Sequence, residues 1–221
     1  MTQAFMGREV RRAVPDVDTP FFVSYAHAGA DSDQRAQQFF KDLCEDVAPL
    51  VPLPAGADKG FIDAVGLRGG MHWRPELTRA LGGCQVLIGL LSVPYLKSGW
   101  CGKEWHAFSL RQKDLLPRAK ASPHQGSIIP VRWAPIPFEL PPVVNDEMIF
   151  RPPGTRDDPA LPGRYQQDGI FGLLQHGEQD SYRVIVWELA KLIQQIYYGQ
   201  RLRYREFEQD ELEDVFQGSV P

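Results

Sequence analysis

The stretch Ser92-Val-Pro-Tyr-Leu-Lys-Ser-Gly-Trp-Cys-Gly-Lys-Glu-Trp105 concentrates the side chains of this chain that are equipped for chemistry. Trp100 and Glu104 stand four residues apart, which puts an aromatic ring and a carboxylate side by side on one face of a helix. Ser98 is a good N-cap for that helix, and Ser92 follows the apolar run Val86 to Leu91. That run is short, continuous and bounded by Gly83 and Pro94, the pattern of a buried parallel strand. Open α/β sheets place their ligand sites at the carboxyl ends of such strands. A ring and a carboxylate above a strand end suit the holding and polarising of a ribosyl ligand.

The elements that must carry this stretch follow from the periodicity. Phe21 to Tyr25 reads as the first strand, with Ser24 and Tyr25 at its end near the presumed cleft. A helix is expected from about Ser32 to Val47, because Ala36, Phe39, Phe40, Leu43 and Val47 recur at helical spacing. Phe61-Ile62 is a short second strand ending at Asp63, followed by a loop from Ala64 to His72 that contains Gly69 and Gly70. A helix opening at Pro75 leads to a third strand over Cys84–Leu91. The Trp100 helix should reach Leu115 or Leu116, and Ser127–Trp133 is the fourth strand, with Pro130 near an end or edge. Beyond it come a short strand over Glu147–Phe150, a brief helix over Arg164–Gln175 and a long amphipathic helix over about Asp180–Tyr198. The tail from Arg201 to Phe216 is strongly charged and reads as solvated or frayed. The domain plan is a flexible arm over residues 1–19, one domain over 20–199 and a charged tail over 200–221.

Several pieces in order resemble the TIR (Toll/interleukin receptor) family: Phe21-Phe-Val-Ser-Tyr25, Gly60-Phe-Ile-Asp63, Gly69-Gly70, and the Ser, Tyr, Ser, Trp-Cys and Glu pattern after the central strand. Leu53-Pro-Ala-Gly56 and the stretch from Trp133 to Pro142 resemble bacterial TIR-like proteins of actinobacterial type. The resemblance implies a flavodoxin-like three-layer α/β fold with a mostly parallel central sheet. In catalytic members of the family, the glutamate at the position of Glu104 is required to cleave the bond between nicotinamide and ribose in NAD. The implied site is therefore Glu104 as catalytic residue, with Tyr25, Asp63, Ser92 and Trp100 contacting NAD as substrate, and no cofactor or metal. Gly69 and Gly70 would belong to an assembly interface, because catalytic TIR proteins normally open their pocket on self-association or with a separate activating partner. In this chain Ala26 and His27 follow the first-strand Ser-Tyr pair, where NAD-cleaving members often carry basic residues.

Other readings stay open. Trp100 either stacks on a ligand or fills the core, Asp63 either contacts ligand or caps the glycine loop, and Ser92 suffices as a turn former. Glu104 is expected on a partly exposed helical face, where its charge would add little stability. The resemblance equally allows a TIR module that works by association alone, and the sheet topology a nucleoside deoxyribosyltransferase-like enzyme. The Trp-Cys pattern favours TIR over the latter.

Bulk composition narrows the classes. The chain has 221 residues, enough for one α/β domain with a full core. A net charge of -4 argues against a nucleic-acid-binding protein. Apolar runs reach roughly six residues, far short of the ~20 that span a bilayer. Cys44, Cys84 and Cys101 are odd in number and widely separated, which fits reduced thiols in a cytoplasm. The histidines show no metal-ligand spacing.

Overall fold

The computed structural model describes residues 19–54, 56–63, 75–115 and 126–219. The expected arm over residues 1–19 lies outside them except for Thr19, and so do Gly69 and Gly70 with the whole of their loop, residues 64–72. Four strands form one parallel sheet in the order β2-β1-β3-β4, where β1 is Phe21–Ser24, β2 Phe61–Ile62, β3 Val86–Leu91 and β4 Ile128–Arg132. Between them run α1 (Ala30–Val47), α2 (Pro75–Gly83), the single turn α3 (Val93–Leu96) and α4 (Gly99–Lys113). After β4 come the short α5 (Pro142–Asn145), then α6 (Leu161–Gln175) and α7 (Gln179–Gly199). This is the flavodoxin-like α/β arrangement expected from the sequence.

The strands are apolar on both faces because each face is covered. Phe21, Val23, Val86, Ile88, Leu90, Ile129 and Val131 pack against α1, α6 and α7 in one core. Phe22, Leu87, Leu91 and Ile128 point the other way, into a second core built with α2, α3 and α4. The two-residue period of a strand decides which side chain joins which core. Gly89 stands in the second series, where a Cβ would lie 2.9 Å from the Tyr95 hydroxyl and 3.2 Å from the Trp105 ring. Its missing side chain lets those two aromatic residues settle onto the sheet.

Three expectations need correction. Glu147–Phe150 forms no strand; Phe150 N–H donates to the Pro130 carbonyl at 2.9 Å. Pro130 has no N–H to donate to a fifth parallel neighbour, so the ladder stops after one bond. The helix expected from Arg164 begins earlier, at Leu161, and is broken at Gly169, which has φ 66°. A Cβ there would meet the Trp133 carbonyl at 2.6 Å, so glycine is required both by conformation and by the close approach. The charged tail, finally, is not frayed: its charged residues Arg201, Arg203, Glu206, Glu208, Glu211 and Glu213 are exposed, but Leu202, Phe207, Leu212 and Phe216 are buried in the second core. Among the described residues no helix is long and apolar enough to cross a membrane.

Candidate active site

The helix α4 starts where the sequence places it. Ser98 is its N-cap and accepts a hydrogen bond from Cys101 N–H at 3.3 Å. One turn earlier, Ser92 caps α3 in the same way, accepting from Tyr95 N–H at 3.2 Å. Ser92 is thus engaged in turning the chain from β3 into the two helices, the turn-forming role open to it from the sequence.

Glu104 lies on the face of α4 that meets the carboxyl end of β1, and it is 5 % exposed. The expectation of a partly exposed carboxylate is corrected: α4 is covered on both sides, so Cys101, Gly102, Glu104, Trp105, Ala107, Phe108 and Arg111 are all buried. Ser24, the last residue of β1, donates its hydroxyl to Glu104 Oε2 at 2.5 Å. Burial pushes the Glu104 carboxyl up to about 8; the Ser24 hydrogen bond opposes that rise and the nearby charge of Asp63 adds to it. The group therefore holds a proton at neutral pH and gives it up readily once a positive charge is brought beside it.

The other expected residues take separate places around this centre. Asp63, at the end of β2, is close enough to act on both Glu104 and Tyr25 through its charge. Tyr25 packs into the core on the α1 side of the sheet, with its hydroxyl 3.3 Å from His27 Nδ1. Burial and the charges of Asp33 and Asp63 push that hydroxyl up to about 12. Trp100 is half-buried near the start of α4, with the Lys103 ammonium 5.6 Å from its ring centroid. A ring that takes a cation in this way can also take a flat cationic ligand. His27 in turn pairs with Asp33 at 3.0 Å, which ties down the loop after β1.

Two residues that the sequence places only at the cleft rim, Ser24 and Tyr95, stand closer to Glu104 than the expected ligand contacts require. Ser24 was placed only near the cleft, yet strand alternation puts it with Phe22 on the α4 side while Tyr25 goes to the opposite core. Tyr95 is fully buried, and its hydroxyl lies within reach of Ser24 and of the Glu104 charge. Among the described residues that hydroxyl has no well-formed hydrogen bond. Tyr95 is the tyrosine of the pattern after the central strand and a cleft-rim candidate from the sequence, but its complete burial beside Ser24 is a tertiary result; the Ser24 placement follows from counting along the strand.

The all-parallel sheet covered by helices on both faces is that of a flavodoxin-like α/β domain. A family model described as TIR domain matches residues 21–149, more than half of the chain. The chain belongs to the TIR domain family. No curated protein and no solved structure matches it significantly.

Proposed function

We propose that this TIR domain cleaves the nicotinamide–ribose bond of NAD, with Glu104 as the catalytic carboxyl, as an assembly-dependent enzyme of bacterial defence or signalling. The observation that carries this reading is the buried Glu104 carboxyl, held by Ser24 at the carboxyl end of β1, level with Gly89 of β3. As nicotinamide departs, the ribose acquires oxocarbenium character, and a carboxylate in a dry, pre-formed setting stabilises that charge far better than water does. The nicotinamide ring of NAD is itself cationic, so its arrival beside Glu104 draws the proton off and leaves the carboxylate where the ribose needs it. Trp100 offers a half-buried ring for stacking, and Asp63 and Ser92 stand near the strand ends as candidate contacts for the dinucleotide.

In the single chain Glu104 is too enclosed for a dinucleotide to touch. Access requires the elements around it to move, and self-association through the family's TIR contacts, or a separate partner, supplies the driving force. The same enclosure favours a second reading, in which Glu104 is a core residue and the domain acts by association alone. The two are separated by measuring nicotinamide release from NAD by the wild type and by Glu104→Gln, each at concentrations where light scattering shows assembly. Release by the wild type and loss of about a hundredfold or more in the variant is expected. An assembled wild type that releases none establishes the association reading.

A further inference from the structure

The segment after α7 is acidic, yet its apolar residues Leu202, Phe207, Leu212 and Phe216 are each under 5 % exposed. Its path runs along α4 in the opposite direction to the helix. Arg111 Nε of α4 donates to the Arg203 carbonyl at 3.2 Å, near the end of the helix. Glu213 N–H donates to His106 Nδ1 at 2.9 Å, in the middle. At the first turn the Asp214 carboxylate sits against Gly99 and Gly102, where a Cβ on Gly102 would overlap it. Glycine weakens a helix relative to alanine, and a carboxylate brought to the positive end of the helix dipole works in the opposite direction.

Phe216 completes the contact. Its ring lies 5.7 Å from Tyr95 and 5.6 Å from Trp105, centroid to centroid. Trp105 is the neighbour of Glu104 in the helix, and the Tyr95 hydroxyl lies within range of the Glu104 charge. Phe216 therefore backs Tyr95, whose hydroxyl is within range of Glu104, and the ring of the residue that follows Glu104 in α4. Phe207, equally buried in the same segment, has the Arg205 guanidinium 5.1 Å from its ring centroid.

We propose that residues 212–216 are a positioning strap for the Glu104 helix, holding its first turn and the Tyr95 and Trp105 rings so that Glu104 stays enclosed, and that loosening the strap opens Glu104 to solvent. The proposal rests on Glu104 being the working carboxyl, but its test needs no NAD. Unfolding free energy is measured against pH for each strap variant with and without Glu104→Gln, and the difference between the two curves reads the midpoint at which Glu104 ionises. Phe216→Ala should move that midpoint at least one pH unit to the acid side, because water reaches the carboxyl. Phe207→Ala should lose stability and leave the midpoint where the wild type has it. Gly102→Ala, which a free helix would welcome, should displace Asp214 and move the midpoint in the same direction as Phe216→Ala; it keeps the test decisive where Phe216→Ala does not fold. Midpoints unchanged in both Phe216→Ala and Gly102→Ala, or shifted equally in Phe207→Ala, overturn the proposal. A wild type that releases no nicotinamide while its midpoint depends on the strap overturns the catalytic reading and leaves the strap standing.

Discussion

Replacing Glu104 by glutamine should make the protein more stable, and only on the alkaline side. Both folded and unfolded chains hold the proton below the ordinary carboxyl value of 4.5, so in acid the two proteins differ little. Between there and about 8 the folded wild type keeps a proton that the unfolded chain releases. Wild-type stability must then fall as pH rises, and level off above the folded value. Over the span from 4.5 to about 8, at ~1.4 kcal/mol per pH unit, the loss is about 5 kcal/mol. That is a large share of the ~5–15 kcal/mol that holds a typical domain together. Glutamine has no proton to lose and can still accept the Ser24 hydroxyl, so its curve lacks this fall. Urea unfolding followed by tryptophan fluorescence, in reductant at pH 5 to 9, measures both curves; every other titrating group is shared and cancels in the difference. The two proteins should agree within about 1 kcal/mol at pH 5 and separate by several kcal/mol at pH 9. A difference that stays flat across the range would show that Glu104 is not held in a dry environment, and the account of the site would fail with it.

The enclosed carboxyl sets an upper limit for the rate profile: kcat/KM for nicotinamide release by the assembled protein should climb about tenfold per pH unit below the midpoint of Glu104 and level off no higher than about 8, lower where assembly admits water to the carboxyl. A profile flat from about pH 5 to 8 would separate the rate from that carboxyl. Ser24→Ala removes the hydrogen bond that favours the ionised form, so the Glu104 midpoint should move further to the alkaline side and the rate plateau with it. An unmoved plateau would show that the Ser24 contact does not reach the reacting state.

Much of this protein is local and was readable from the chain alone. The strands are short apolar runs, Ser98 caps α4, Pro75 opens α2, and the stripe from Tyr182 to Ile196 makes α7 bury one face. These depend on neighbours a few residues away, which is the range over which capping and periodicity act. The position of Glu104 on the helix after the central strand was legible for the same reason. Its environment was not. Ser24 and Glu104 are 80 residues apart and meet only because β1 pairs with β3 and α4 packs along the same face of the sheet. The exposure of α4 was misread because its second cover comes from the far end of the chain, where four apolar residues among many charges give no helical or strand period. The break at Gly169 is likewise decided by the Trp133 backbone pressed against it, and the lost fifth strand by which edge of β4 Pro130 presents. Local chemistry chose the elements and put a carboxyl on the right helix; the packing of distant segments removed its water, and with the water its charge at neutral pH.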